Sequence, residues 1–242
     1  MNPYQTIPSA ILNDAGLNCH AVFELAQLSP DVREMLLARC PRAAQYQQLI
    51  LIGHGGQRFC EALKESGAEL VREEGKHPVD DFSVATVQHY LDNDWPGCEH
   101  EIVYPGAYTV SLQELGKLAG WHHDSPFMVG VNQHFGSWFA YRCLVLANTE
   151  LPVTPAYCDA SPCDSCASKI CISACPAKAL EGGEFNLMKC INYRRQPESK
   201  CRTTCIARVS CPVGTEHRYP REQIAYHYGR SIAMIEAYAK KE

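Results

Sequence analysis

CDSCASKICISACP, residues 163–176, packs four cysteines into a short run and closes the last of them with proline. A second set follows at Cys190, Cys201, Cys205 and Cys211, again closed by a proline, Pro212. Two sets of four thiols match the ligand count of two [4Fe–4S] clusters, because thiolate is the preferred ligand of iron–sulfur cubanes. In the bacterial ferredoxin run C-x2-C-x2-C-x3-C-P, the fourth cysteine ligates the other cluster. This chain departs from that run by a C-x4-C step in the first set and looser spacing in the second, departures that read as loop insertions and leave the ligand number intact. With the crossover carried over, Cys163, Cys166, Cys171 and Cys211 hold one cluster, and Cys175, Cys190, Cys201 and Cys205 hold the other. Paired cysteines at short spacing also build closed zinc sites; the two Cys-Pro closures and the alanine-rich ISACPAKAL favour iron. Two cubanes joined in this way lie close together and form an electron relay.

The rest of the composition bounds what surrounds this module. The 242 residues are 46% hydrophobic and 20% charged, which suits a soluble globular chain of one large or two modest domains. No apolar run is long enough to span a membrane, and the N-terminal MNPYQTIPSAILND lacks a basic stretch leading into an apolar one, so a cytoplasmic location is expected. Five of the 14 cysteines (Cys19, Cys40, Cys60, Cys98 and Cys143) are scattered singly and read as buried thiols. Cys158 is left over beside the two sets. The net charge of −5 is uneven, with residues from 189 onward carrying an excess of Lys and Arg. That excess either contacts nucleic acid such as tRNA phosphates or compensates locally for negative thiolate clusters.

Upstream, CHAVFEL (19–25), QLILI (48–52) and EHEIVYPG read as strands, and FMVGV with GSWFAYRCLVLAN reads as a further pair. GHGG after QLILI reads as a turn opening a helix over GQRFCEALKESG. HPVDDFSVATVQHYLDND, with proline and two aspartates in its first turns, reads as a helix, as does VSLQELGKLAG. The sheet is expected to be mixed or antiparallel in an α+β domain, and LPVTPAY (151–157) to mark its boundary. Near the C-terminus, Ile224, Tyr228, Ile232, Ile235 and Tyr238 fall at helical spacing as a packing face.

The cysteine motifs also carry a resemblance. CDSCASKICISACPAKAL, KCINY and the closing C-x3-C-x5-CP are similar to the twin-cluster module of epoxyqueuosine reductases and, more distantly, of reductive dehalogenases; AGW at 119–121 and GSWF at 136–139 keep the same order. HPVDDFSVATVQHYL and NQHFGSWFAYRCLVLA resemble segments of the CblC cobalamin-processing proteins, which share with epoxyqueuosine reductases a flavin-nitroreductase-like fold that holds base-off cobalamin. The two resemblances imply an α+β chain with a nitroreductase-like, mixed-sheet, corrinoid-binding domain over 1–155 and a ferredoxin-like domain with a C-terminal helix over 156–242. They imply electron transfer from two [4Fe–4S] clusters to a cobalamin, for reductive catalysis on the corrinoid or its reductive processing. Iron–sulfur potentials reaching about −700 mV make low-valent cobalt accessible. The implied partners are a low-potential donor such as flavodoxin or ferredoxin, a small-molecule or corrinoid substrate, and tRNA, with no membrane. Two alternatives stand beside this: a ferredoxin-like electron carrier without corrinoid, and a tRNA epoxyqueuosine reductase-like enzyme.

The resemblance also singles out residues. Epoxyqueuosine reductases carry a catalytic aspartate where this chain has IVYPGAYTV, and no carboxylate lies between Glu101 and Glu114. A proton donor is still needed within hydrogen-bond reach, so Tyr104 and Tyr108 become the candidates, against the plainer reading of both as core residues. His134, Gly136, Ser137 and Trp138 are expected to line the corrinoid pocket, and Arg142 falls where the CblC proteins have a glutathione-contacting arginine. Trp121-His122-His123-Asp124 could suggest a metal site, but adjacent histidines on a turn point in different directions.

Overall fold

QLILI belongs to the central part of an antiparallel sheet in the computed structural model, which describes residues 2–73 and 75–239. Strands β1 (Cys19–Glu24), β2 (Gln48–Gly55), β3 (His100–Tyr104) and β4 (Phe139–Ala147) lie in the order β1-β2-β4-β3, and every pairing is antiparallel. Of the mixed or antiparallel sheet expected from the residues, the antiparallel form is found, in place of the mixed sheet that the resemblance implies. All eight residues of β2 are buried, as an apolar run covered on both faces requires. The strand continues through the GHG of the expected turn, and its register shifts between Ile52 and Gly53. A Cβ at Gly53 would stand 2.7 Å from the Ala140 carbonyl, so glycine permits this close approach of β4.

The chain packs as two units. Unit 1 comprises Met1–Glu69, His77–His122 and Phe139–Cys158, and so contains the whole sheet. Its helices are α1 (Ala10–Asp14), α2 (Pro30–Arg39), α3 (Arg58–Glu65), α4 (Pro78–Asp94) and α5 (Leu112–Leu118). Helix α4 starts with Pro78 in its first turn, followed by Asp80 and Asp81, which suit the positive end of the helix dipole. The proline-rich LPVTPAY is docked along this unit: Thr154 N–H donates to the Val22 carbonyl at 2.9 Å, and Gln48 Nε2 donates to the Leu151 carbonyl at 2.8 Å.

Unit 2 comprises Leu70–Lys76, His123–Trp138 and Asp159–Glu242, so residues 70–76 and 123–138 pack with the cysteine-bearing segment. Its helices are α6 (Ile170–Ser173), α7 (Leu187–Arg195), α8 (Ile206–Val209) and α9 (Arg221–Ala239). Asn186 caps α7 by accepting the Lys189 N–H at 2.9 Å. Helix α6 packs against α8, and α7 against α9. On α9, Ile224 and Ile232 are buried and Tyr228 and Ile235 half-buried, whereas Tyr238 is 68% exposed, so the packing stripe ends before it.

FMVGV is not a strand. Met128 adopts φ +63°, its N–H donates to the Ser125 carbonyl at 3.1 Å, and Ser125 Oγ donates to the Val129 carbonyl at 2.6 Å, closing a turn. Phe127 is instead buried among Cys171, Leu180, Ala207 and Cys211. A run of five apolar residues fits a buried turn as well as a strand when periodicity cannot arbitrate.

Candidate metal centre

The thiols of unit 2 fall into two electrostatic neighbourhoods. Cys163 is pushed above the ordinary thiol range by burial and then by the thiols of Cys211, Cys171 and Cys166. Cys171 is raised by burial, Cys211 and Cys166. In the other neighbourhood burial raises Cys190, Cys201 and Cys205; Cys205, Cys175 and Cys201 act further on Cys190, Cys205 and Cys175 on Cys201, and Cys175 on Cys205. Cys166 is lowered, chiefly by the Lys169 backbone N–H and then by the Ser168 hydroxyl.

Four of these thiols surround a cavity of about 300 Å³, lined mostly by apolar atoms. Cys175 comes from the end of the first motif; Cys190 stands on α7, and Cys201 and Cys205 precede α8. Phe127, Leu180 and Phe185 supply apolar walls, and Arg194 and Tyr228 also line the space. The volume sits at the lower end of ligand-sized pockets, about 300–1,000 Å³. Among the described residues no three His, Cys, Asp or Glu side chains converge as ligands of a single metal ion. A cavity ringed by four soft donors and closed by apolar walls fits the chemistry of a cubane cluster.

Between the two neighbourhoods lies one apolar cluster. Phe127, Leu180 and Ala207 are buried with Cys171 and Cys211, and Cys175 and Cys205 pack against them. Members of both thiol sets therefore share a single water-excluding core.

Gly136, Ser137 and Trp138 serve this unit's packing. Gly136 adopts φ +57°, and a Cβ there would fall on the Val213 carbonyl, in the turn that follows Cys211. Ser137 is buried; its hydroxyl and carbonyl accept from Arg208 at 3.3 and 2.5 Å. Trp138 is fully buried, edge-on to Tyr219 with 5.5 Å between centroids, and beneath the Arg208 guanidinium at 4.6 Å. His134 packs its ring against Phe135 and His217, and burial followed by His217 lowers its pKa.

In unit 1, Tyr104 has Arg142 as a neighbour, whereas Tyr108 does not share it. Arg142 is 7% exposed, donates from Nε to His54 Nδ1 at 2.9 Å and lies over the Phe59 ring. Tyr104, at the end of β3, is half-buried; burial raises its pKa, while Arg142 opposes that rise. Tyr108 faces Glu101 and Cys40, with its pKa also raised by burial first. The two tyrosines thus occupy different surroundings. His122 Nδ1 pairs with the Tyr141 hydroxyl at 2.9 Å, and His123 pairs its backbone with Val131. Cys158 is exposed, with its thiol directed at the Ala156 carbonyl.

Sequence reasoning missed Arg194 and Arg208, both 8% exposed. Arg194 follows Cys190 by four residues on α7, and Arg208 follows Cys205 by three. Arginine at i+3 or i+4 from a ligand cysteine is the signal that could have found them.

No family model matches the chain, and comparison with curated proteins gives no match. Among solved structures it is similar to epoxyqueuosine reductase from Streptococcus thermophilus, at 15% identity and a TM-score of 0.53 over 87% of this chain and 66% of that one. An epoxyqueuosine reductase crystallised with an epoxyqueuosine-modified tRNA-Tyr stem loop matches at 11% identity and a TM-score of 0.53, over 88% of this chain and 66% of that one. The Bacillus subtilis enzyme, solved with its catalytic aspartate loop swung out of the active site, matches at 12% identity and a TM-score of 0.51, over 87% and 66%. This chain spans 66% of the length of these proteins, and its α+β fold is that of epoxyqueuosine reductase.

Proposed function

We propose that the chain is an iron–sulfur oxidoreductase whose cysteine-rich unit holds two [4Fe–4S] clusters by crossover ligation. The observation that carries this reading is the cavity ringed by Cys175, Cys190, Cys201 and Cys205, thiols drawn from both motifs. Burial by itself favours neutral thiols at Cys190, Cys201 and Cys205, so thiolate there calls for a compensating cation, which iron supplies. Bound clusters supply one-electron transfer at low potential. The chain's own residues hold them, exclude water through Phe127, Leu180 and Ala207, and set the surrounding charge.

Three of the residues named for a corrinoid, Gly136, Ser137 and Trp138, are taken up by packing within unit 2. The Cβ position of Gly136 is filled by the Val213 carbonyl, Ser137 is engaged by Arg208, and Trp138 is enclosed. No step is therefore routed through cobalamin. The likeness in fold to epoxyqueuosine reductases, one of them bound to a tRNA stem loop, favours a reductase acting on a nucleoside of RNA, and the basic residues from 189 onward suit phosphate contacts. In that reading Tyr104 is the proton donor, since its burial keeps the phenol protonated at neutral pH beside Arg142.

Iron and sulfide analysis of anaerobically prepared protein tests the cluster reading, with about eight of each expected per chain. Zinc without sulfide would overturn it. Replacing Cys175 with Ser is expected to damage the cluster of Cys190, Cys201 and Cys205, and replacing Cys211 that of Cys163, Cys166 and Cys171. Damage confined to each cysteine's own motif would refute the crossover. Reduction of an epoxyqueuosine-containing stem loop by the loaded protein with a low-potential donor tests the substrate.

A further inference from the structure

Two buried guanidinium groups face the thiols of one cysteine set only. Arg194 lines the cavity and donates from Nε to the carbonyl of Cys201 at 3.1 Å, from Nη1 to Ser231 Oγ at 3.0 Å and from Nη2 to the Tyr228 carbonyl at 2.9 Å. Arg208 donates to the hydroxyl and carbonyl of Ser137 and packs on both the Trp138 and Tyr219 rings, 4.6 and 5.4 Å from their centroids. Its backbone N–H is directed to the Cys205 thiol. Every one of these side-chain acceptors is neutral, and neither arginine pairs with a carboxylate among the described residues. Arginine stays protonated when buried, and an uncompensated buried charge is strongly unfavourable. The acidic groups nearest to hand are the cavity thiols: Arg194 lines the same cavity as Cys175, Cys190, Cys201 and Cys205, and Arg208 follows Cys205 by three residues.

Among the described residues the other set has no such buried arginine acting on it. The cation acting on Cys163 and Cys166 is Lys169, which is exposed and therefore screened by water and salt. Burial does not reverse the contrast, because Cys171 and Cys211 are buried in the first set and Cys201 in the second, with the remaining thiols half-buried.

We propose that Arg194 and Arg208 are built-in counter-charges of the Cys175, Cys190, Cys201 and Cys205 site, and that they make this the higher-potential of the two clusters and the first to accept an electron. The inference rests on the twin-cluster reading above. Reduction adds one electron, and so one negative charge, to a thiolate-ligated cluster. Cluster potentials depend on net charge, hydrogen bonding and exposure, and a fixed buried cation favours the reduced form. The electron comes from a low-potential donor, which is dithionite in the test.

The test is a mediated dithionite titration of the anaerobically loaded protein, followed by electron paramagnetic resonance. Two one-electron steps are expected, separated by at least tenfold in reduced-to-oxidised ratio at a common poise, about 59 mV. Cys190→Ser is expected to alter the signal that appears first, and Cys166→Ser the one that appears second. Arg194→Gln is expected to lower the first step by tenfold or more and leave the second in place, while Arg194→Lys, which keeps the charge, recovers most of the loss. Coincident steps in the unmodified protein, or a first signal that responds to Cys166→Ser, would overturn the proposal even if the arginine variants fail to load. Unchanged potentials in a loaded Arg194→Gln protein would overturn it too. Iron and sulfide well below about eight per chain would mark failure of the twin-cluster reading instead.

Discussion

Replacing Gly136 with alanine probes how unit 2 holds the second Cys-Pro turn. Two costs can be separated. At φ +57° an alanine occupies the left-handed region, at about 1–2 kcal/mol for a residue with a Cβ. The new methyl group also falls on the Val213 carbonyl, a backbone atom that cannot swing aside as a long side chain would. Relief of such overpacking typically costs about 1–3 kcal/mol more. The Gly136→Ala protein should therefore lose about 2–5 kcal/mol in urea unfolding of unit 2. Because Val213 lies two residues beyond Cys211, its displacement should also weaken the cluster to which Cys211 contributes, and iron should fall towards about half its full content. Gly182→Ala is the matched control: φ is +94°, but no heavy atom lies within 4 Å of the added Cβ, so only the conformational cost applies. If Gly136→Ala were as stable as Gly182→Ala and held its full iron, the packing of residues 132–136 on the Cys211 turn would carry no structural weight.

In unit 1, His20 is fully buried; its Nδ1 accepts the Ile7 N–H at 3.1 Å, its Nε2–H donates to the Leu17 carbonyl at 2.5 Å, and burial lowers its pKa from 6.5 to about 4. The unfolded chain then binds the proton more readily, so stability is complete above pH 6.5, falls by about 3 kcal/mol as pH drops towards 4, and levels off below. Urea midpoints across that range, with the His20 ring followed by NMR, check this; a ring titrating near pH 6.5 in the folded protein would remove the cause. Tyr104→Phe is expected to reduce turnover of the stem-loop substrate by about 10²–10⁴-fold with cluster content unchanged, while Tyr108→Phe retains activity. The opposite pattern would assign the proton to Tyr108. Trp138→Ala should cost about 3–5 kcal/mol, because it empties a fully enclosed site against Tyr219 and Ile224, and chemical denaturation with a native-like circular dichroism spectrum before the transition would measure it.

The strands and the thiols were legible for different reasons. β1 and β2 are apolar runs whose burial follows from composition, and β4 carries the same signal, whereas β3 buries only Val103. A ligand cysteine is legible because its chemistry belongs to the side chain and its partners recur at short spacing. FMVGV was misread because an apolar pentapeptide specifies burial without specifying backbone, and here the burial is supplied by Cys171, Leu180 and Ala207 rather than by a neighbouring strand. The tyrosines at 104 and 108 looked interchangeable four residues apart, yet a turn over residues 105–107 leaves one beside Arg142 and the other beside Cys40. Arg194 and Arg208 were read only as part of a basic C-terminal excess. Their meaning comes from burial without a carboxylate, which no count of charges contains.

The same burial bears on the two explanations of that excess. If all the basic residues from 189 onward served an RNA surface, their guanidinium and ammonium groups would be exposed, as phosphate contact requires. Arg194 and Arg208 are enclosed with their donors spent on Ser231, Tyr228, Cys201 and Ser137, so neither can reach a phosphate without leaving its site. Lys189, Arg195 and Lys200 are exposed and remain available to an anionic partner. The excess therefore divides into a buried pair that compensates thiolate charge and an exposed remainder, and the two answer to different perturbations. Added salt should weaken binding of a stem loop through the exposed residues, while leaving the potential shift caused by Arg194→Gln nearly intact, because a buried charge is screened far less than one in water.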